Sequence, residues 1–153
     1  MEVRVIAIGR NMPAWVADGW NVYARRLPKH LRVTLIEVPT AAKSSTEPLQ
    51  DVEAAALLAR CKRPGQVIAL DENGTSWTTR QFAGRLEQWQ MSGDAVNLLV
   101  GGAAGHGDAV RRRADFQWSL GRLTLPHMLV RVILSEQIYR AHTLITGHPY
   151  HRD

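Results

Sequence analysis

The feature that most constrains the fold of this chain is a regular alternation of short, apolar, β-branched segments with longer segments of helical periodicity. The segments expected to form strands are residues 3–9, 33–38, 66–70 and 95–100, with 120–125 as a fifth strand or an extended loop. Strands that alternate with helices favour a parallel sheet covered by helices on both faces. The sequence therefore predicts an α/β fold.

Proline, threonine and glycine residues mark the ends of the expected helices. The expected helices are residues 13–28, about 48–60, and 126 to about 146, with a short basic helix around 111–113. A further helix starts at Thr78 or Thr79 and carries Phe82, Leu86 and Trp89. Gly147 is expected to end the last helix, and residues 40–48 have the composition of a loop. An Asn-Gly turn is expected at 71–74, because these residue types tolerate positive φ.

The composition fits one domain over residues 1–153 with a polyanionic partner, since the formal net charge is +5 at pH 7. Two basic clusters suit phosphate contacts and a solvated surface equally: Arg25, Arg26, Lys29, His30 and Arg32 form one, and Arg111 to Arg113 the other. Cys61 is the single cysteine, which excludes an intramolecular disulfide and suits a reducing compartment. No segment has the pattern of a signal peptide or a membrane span. We therefore expect a cytoplasmic protein without a membrane partner.

Four glycines lie within residues 101–107, directly after the fourth expected strand. In open parallel sheets ligands bind beyond the carboxyl ends of the strands, and glycines let a ligand approach the backbone. The first strand ends in a single Gly9 rather than in G-x-G-x-x-G, which disfavours a dinucleotide site, and no Walker-type phosphate loop occurs. The glycine cluster and the stretch 120–127 are therefore the candidate ligand-binding segments.

Other chemistry has weaker signals. His148 and His151 lie three residues apart without cysteine or acidic ligands around them, so we expect no metal. Ser119 and Ser135 lack the G-x-S-x-G pattern of a nucleophile elbow. The five tryptophans are interpreted as core or interface residues rather than as base-stacking platforms.

Longer motifs agree with one known family over the whole chain. They are V-R-V-I-A-I-G at 3–9, N-M-P-A-W-V at 11–16, I-E-V-P at 36–39, A-L-D-E-N-G at 69–74, L-L-V-G-G at 98–102, S-L-G-R-L-T-L-P-H-M-L-V-R-V-I-L-S-E-Q-I-Y-R-A at 119–141 and H-P-Y-H-R-D at 148–153. On these residues the chain resembles the ribosomal RNA large subunit methyltransferase H family, whose members are minimal SPOUT-class enzymes. The block at 119–141 and the tail are the most specific of the motifs.

The resemblance implies a SPOUT fold with a C-terminal trefoil knot, and a homodimer. It also implies S-adenosylmethionine as the methyl donor. The implied target is N3 of a pseudouridine in large-subunit ribosomal RNA, methylated on the assembled ribosome.

Carried over by position, the resemblance implies a set of cofactor-binding residues on three segments. They are Leu70, Gly101, Gly102, Leu120, Gly121, Arg122, Leu123, Thr124 and Leu125. The chain departs from the family at Ala103 and Ala104, where relatives commonly carry a polar or acidic residue.

N3 of pseudouridine is a weakly acidic imide, so methyl transfer requires loss of its proton or stabilisation of its anion. The candidate catalytic residues are His127, Arg131, Glu136, Arg140, Tyr150 and His151. Glu136 and Arg140 also fit a simple i,i+4 pair, and His127 also fits a residue that starts a helix. The tail at 148–153 is too short to form a core element, which favours a site role at a subunit boundary.

Two other functions stay open from the sequence. One is a SPOUT methyltransferase that acts on transfer RNA, and the other is a basic RNA-binding assembly factor without catalysis. The intact block at 119–127 disfavours the assembly factor.

Overall fold

A computed structural model describes residues 1–43 and 46–151, so parts of the loop expected at 40–48 and of the tail at 148–153 lie outside the described residues. Five strands form one sheet: β1 (Glu2–Ile8), β2 (Arg32–Val38), β3 (Gly65–Ser76), β4 (Ala95–Val100) and β5 (Phe116–Ser119). All pairings are parallel, in the order β2-β1-β4-β3-β5. The predicted α/β class is confirmed.

Five α-helices follow the predicted segments: α1 (Ala14–Ala24), α2 (Leu49–Leu58), α3 (Thr79–Ser92), α4 (Asp108–Arg113) and α5 (His127–Thr146). Thr78 caps α3 through a capping box, in which its hydroxyl accepts from the Gln81 backbone and its backbone donates to the Gln81 side chain. Gly147 ends α5 with a φ of 71°. A short 3-10 helix, Pro149–His151, follows α5. No helix within the described ranges is long and apolar enough to cross a membrane.

Helices cover both faces of the sheet, because side chains alternate between its two sides along each strand. Val3 and Val5 of β1 face one core layer, which includes Trp20, Phe82, Leu86, Leu134 and Ile138 from α1, α3 and α5. Ile6 and Ile8 face the other layer, which includes Leu57 and Val110 from α2 and α4. Burial on both faces explains why β4 is apolar apart from one residue, Asn97.

The prediction of a turn at 71–74 is wrong. The chain remains in β3 as far as Ser76, and both Leu70 and Thr75 pair with Trp118 of β5. The four residues between them bulge out of the ladder, and pairing with β5 then resumes. A Cβ at Gly74 would lie 2.6 Å from the backbone of Gln117, so glycine here serves close strand approach rather than a turn.

The prediction of a strand at 120–125 is also wrong, and its alternative, an extended loop, is confirmed. The strand is Phe116–Ser119, four residues earlier than the hydrophobic pattern indicates. Ser119 ends it, because its hydroxyl donates to the Gly121 carbonyl at 2.9 Å and accepts from the Gly121 amide at 3.2 Å. Gly121 has a φ of 136°, which favours glycine as the chain leaves the sheet.

Candidate active site

A cavity of about 530 Å³ lies at the carboxyl ends of β3, β4 and β5. Its walls are the β3 bulge, the loop after β4 and the segment between β5 and α5. The lining residues include Leu70, Asp71, Glu72, Gly101, Gly102, His106, Arg111, Trp118, Leu120, Gly121, Leu123, Thr124, Leu125 and His127. The cavity therefore brings together nearly all of the residues predicted to bind a cofactor; the side chain of Arg122 is exposed and does not line it.

The glycine loop after β4 is shaped by its own close packing. The amide of Gly105 donates to the carbonyl of Gly102 at 3.0 Å. A Cβ at Gly101 would lie 3.1 Å from the carbonyl carbon of Gly105, and one at Gly102 would lie 3.0 Å from the Ile8 side chain. Side chains at Gly101 and Gly102 would crowd these neighbours, so glycine favours this form of the loop, which lines the cavity.

Two carboxylates of the β3 bulge give one wall of the cavity an acidic character. Asp71 accepts from Nε of Arg111 at 3.4 Å, which ties the bulge to α4. Glu72 accepts from the hydroxyl of Thr124 at 3.3 Å, which ties the bulge to the loop before α5. Glu72 forms no ion pair with any other residue that the structure describes, so its charge is available to a cationic ligand.

Two buried polar atoms on the wall have no hydrogen-bond partner among the described residues, Nδ1 of His106 and Nε1 of Trp118. Nε2 of His106 lies 3.2 Å from the carbonyl of Leu99, so we assign the proton to Nε2 and leave Nδ1 as an acceptor. Burial lowers the pKa of His106, which keeps the ring neutral. Unsatisfied buried groups are costly, so a polar ligand that paired with them would be favoured.

The first turn of α5 meets the end of β1 beside this cavity. Gly9 has a φ of 108°, and a Cβ there would lie 3.5 Å from Nε2 of His127 and 3.2 Å from the Met128 side chain. Pro126 lies at the start of α5, where no side chain caps the helix, and the first turn of α5 carries no acidic residue. The positive end of the helix dipole therefore stays uncompensated next to His127.

The structure does not support substrate contact by Arg131. Its side chain is fully buried, and Nη2 donates to the carbonyls of Ile8 at 3.1 Å and Gly9 at 2.7 Å. Nη1 donates to Glu37 at 3.0 Å. These partners replace water around a buried charge, so Arg131 fastens α5 to the carboxyl ends of β1 and β2. This corrects the prediction that placed Arg131 among the groups acting on N3.

The remaining catalytic candidates form a separate cluster on the C-terminal half of α5. Glu136 accepts from Nη2 of Arg140 at 2.7 Å and from the Tyr150 hydroxyl at 3.0 Å. The Tyr150 ring packs against Tyr139, with 4.7 Å between centroids. Burial and the hydrogen bond to Glu136 raise the pKa of Tyr150 to about 12. His151 is half-buried, and its Nδ1 has no described partner.

This cluster does not reach the cavity of its own chain. A rise of 1.5 Å per helical residue puts Glu136 about 14 Å and Arg140 about 20 Å along α5 from His127. Among the candidate catalytic residues, His127 is the one that lines the cavity. No group of three His, Cys, Asp or Glu side chains in the described ranges could hold a metal ion.

A comparison with protein families decides what this arrangement is. A model of the family described as "Predicted SPOUT methyltransferase" matches residues 1–151. The chain belongs to the SPOUT methyltransferase family.

Curated relatives of this SPOUT methyltransferase carry the name ribosomal RNA large subunit methyltransferase H, which confirms the resemblance seen in the sequence. The protein of Hahella chejuensis is 46% identical over 156 residues and covers all of both chains. That of Marinomonas sp. is 46% identical, and that of Azotobacter vinelandii 43% identical; each alignment covers 99% of this chain and all of the relative.

The fold of the methyltransferase is similar to that of the SpoU methyltransferase AviRb from Streptomyces viridochromogenes. The two structures superpose with a TM-score of 0.50 at 16% identity, covering 95% of this chain and 60% of AviRb. At this identity the likeness concerns the fold alone.

Four polar residues of the methyltransferase cavity, Asp71, Glu72, His106 and Arg111, are not among the predicted cofactor-binding or catalytic residues. The acidic pair lies in the segment interpreted as a turn, and Arg111 lies in a basic cluster that suits phosphate contacts and a solvated surface equally. Their one local signal is position, since the pair follows the buried apolar part of β3 and the histidine follows β4.

Proposed function

We propose that this methyltransferase uses S-adenosylmethionine to methylate N3 of a pseudouridine in large-subunit ribosomal RNA on the assembled ribosome. The observation that carries the proposal is the cavity at the carboxyl ends of β3, β4 and β5, because the three segments of the sequence prediction line it together. The names of the curated relatives support ribosomal RNA as the substrate.

The residues of the cavity fit this cofactor in size, polarity and charge. About 530 Å³ lies within the usual range for small-molecule sites. Leu70, Leu120 and Leu125 offer an apolar wall for an adenine ring, and the glycine loop offers backbone groups. The carboxylate of Glu72 suits a ligand with an ammonium and a sulfonium group. When bound, the cofactor supplies an electrophilic methyl group on sulfur.

The chain's own contribution to the chemistry centres on His127. It lines the cavity, and its ring could accept the N3 proton or donate a hydrogen bond to the target base. The uncompensated start of α5 favours negative charge at the same place, which would lower the energy of an imide anion. Positioning of the base against the methyl group supplies the rest of the rate.

A second copy of the chain would complete the site. The cluster of Glu136, Arg140, Tyr150 and His151 lies too far along α5 to serve its own cavity, so we place it at the cavity of a partner subunit. Trp15 and Val22 of α1 support an interface, because they are 59% and 47% exposed and lie seven residues apart on one face beside α5. Closed two-fold symmetry would give two shared sites.

Methyl transfer from tritium-labelled S-adenosylmethionine to three substrates tests the proposed target class. Assembled ribosomes should accept label, and separated large subunits and bulk transfer RNA should accept far less. Preferential labelling of transfer RNA would instead support the alternative function, a SPOUT methyltransferase that acts on transfer RNA. Failure to label any of the three, with the cofactor bound, would favour the non-catalytic assembly factor.

A further inference from the structure

A second cavity of about 460 Å³ lies on the other side of the β3 bulge, along the outer edge of β5. It is lined by Asn73, Gly74, Thr75, Trp77, Arg85, Ala114, Asp115, Phe116 and Gln117. Asn73 lines both cavities, so the bulge is their common wall. Nothing in the proposed chemistry uses this second cavity.

Arg85 of α3 is the unusual group in this cavity. Its guanidinium carbon lies 4.4 Å from the ring centroids of both Trp77 and Phe116. Arg85 forms no ion pair or hydrogen bond with other residues in the described ranges, so its donors stay available. A planar cation held by aromatic rings is a surface on which a flat heterocycle stacks.

The rings beneath Arg85 are fixed from the core. Trp77 stacks on Trp118 with 5.1 Å between centroids, and Trp118 stacks on Phe82 at 4.6 Å. Trp118 and Phe82 are buried, so the guanidinium rests on an ordered ladder rather than on mobile side chains. A ligand that stacks there therefore loses little freedom in ordering the protein.

The edge of the sheet adds hydrogen-bonding groups. β5 pairs with β3 on one side and is the last strand in the sheet, so its outward backbone donors and acceptors face this edge. The acidic group nearby is already compensated, since the Asp115 carboxylate accepts from the Val67 amide at 2.8 Å and from Arg113 at 3.3 Å. An anionic nucleotide would therefore meet the free charge of Arg85.

We propose that this cavity, the β5-edge cavity, binds an unpaired nucleotide of the RNA substrate, with its base stacked on Arg85. The inference rests on the proposed function for its RNA, and on the shared Asn73 for its place beside the target nucleotide. A nucleotide is favoured over a peptide because the site combines a planar stacking surface, a free guanidinium and exposed strand-edge groups, the set that single-stranded RNA uses.

Three variants test the proposal. Arg85→Gln removes the charge and the stacking plane, and Arg85→Lys keeps the charge alone. Arg63→Gln is the matched control, because Arg63 is an exposed arginine at the opposite, amino end of β3. Gln117→Glu adds a negative charge through an exposed side chain and guards against misfolding of the Arg85 variants.

The first measurement is steady-state methyl transfer to ribosomes. We expect Arg85→Gln to raise the KM for ribosomes about tenfold, with kcat and cofactor affinity nearly unchanged. Arg85→Lys should raise the KM for ribosomes only slightly less than Arg85→Gln does, and Gln117→Glu should raise it as well. Arg63→Gln should have the KM of the natural protein. An unchanged KM in both Arg85→Gln and Gln117→Glu would overturn the proposal.

The second measurement does not depend on methyl transfer. Binding of uridine and adenosine pentanucleotides, followed by tryptophan fluorescence, should quench the emission of Trp77 saturably in the natural protein and weakly in Arg85→Gln. Equal quenching in both would reject the β5-edge cavity even if ribosomes are methylated. If quenching depends on Arg85 but ribosomes are not methylated, the nucleotide site is supported and the proposed methylation target is rejected.

Discussion

At the residue scale, burial is the main influence on the protonation of His106 in the cavity and of Tyr150 in the separate cluster on α5. His106 is 3% exposed and keeps one ring nitrogen without a described partner. Tyr150 keeps its proton because burial and the Glu136 carboxylate both oppose its ionisation. The states of both residues lead to measurable effects of pH and of substitution.

The lowered pKa of His106 should make the folded protein less stable in acid. Its pKa is lower in the folded chain than in the unfolded chain, so protons bind the unfolded state more tightly. The stabilising contribution is therefore complete above the unfolded pKa, about 6.5, and is lost as pH falls from there through the folded value. Urea unfolding of the natural protein should show this loss.

His106→Gln should reduce that dependence on pH. His30→Gln is the control, because the His30 side chain is exposed and lies just before β2, at the end of the sheet away from the cavity. An identical pH dependence in His106→Gln and the natural protein would contradict a buried, neutral His106.

Tyr150→Phe should distinguish the contribution of the Tyr150 hydroxyl to activity from that of its ring. The phenyl ring keeps the contact with Tyr139, and the hydrogen bond to Glu136 is lost. We expect methyl transfer to ribosomes to fall about tenfold or more, with the melting temperature and cofactor affinity nearly unchanged. The rate of the natural protein should show no Tyr150 ionisation up to a pH of about 10, since the pKa is about 12. Full activity in Tyr150→Phe would remove the hydroxyl from the site.

At the element scale, the sequence predicts best the helices and strands whose signals lie within a few neighbouring residues. β4 is apolar apart from Asn97, the capping residues of α3 are three apart, and Gly147 ends α5. The bulge at 71–74 could not be predicted, because it depends on renewed pairing with a strand some 40 residues away. The same reason hides the cavity's acidic wall, since Asp71 and Arg111 become neighbours only through the fold.

The glycine loop gives a prediction for one element. Gly101→Val places a branched side chain against Gly105, so the loop should change shape and cofactor affinity should fall at least tenfold by calorimetry. Gly84→Ala is the control, because a Cβ at this exposed glycine of α3 meets no atom within 4 Å. It should leave affinity unchanged and raise stability by about 0.5–1 kcal/mol. Equal affinities in the natural protein and Gly101→Val would remove the loop from the site.

The tail is an element whose loss should separate catalysis from folding. It packs on the outside of α5 through Tyr150, so removal of residues 148–153 should leave folding and cofactor binding nearly intact. Methyl transfer to ribosomes should fall by orders of magnitude, because the cluster with Glu136 is dismantled. A truncated chain that works at the natural rate would reject the assignment of the tail.

At the scale of the whole molecule, the distribution of charge and the proposed dimer bear on how the enzyme would bind the proposed ribosomal substrate. The basic cluster 25–32 runs from the end of α1 to the first residue of β2, so it lies at the amino end of the sheet, whereas Arg111 lines the cavity at the carboxyl end. One chain therefore offers basic groups at both ends. A dimer with shared sites would bring more of them to one RNA, while the trefoil knot implied by the family stays a prediction.

Ribosome binding should weaken steeply as salt is added, because phosphate contacts release counterions. Neutralising Arg25, Arg26 and Lys29 together should flatten the slope of log affinity against log salt by about two to three. Light scattering of the natural protein should give a dimeric mass. A slope near zero would mean that the charge is only a solvated surface, and a monomeric mass would remove the shared site.

The most direct test of the central claim is the identity of the methylated nucleoside. Ribosomes that lack the modification are incubated with S-adenosylmethionine and the natural protein, or with Gly101→Val as the control, and the large-subunit RNA is digested for mass spectrometry. We expect N3-methylpseudouridine with the natural protein and its near absence with the variant. A methyl group on any other nucleoside, or on no nucleoside of this RNA, would contradict it.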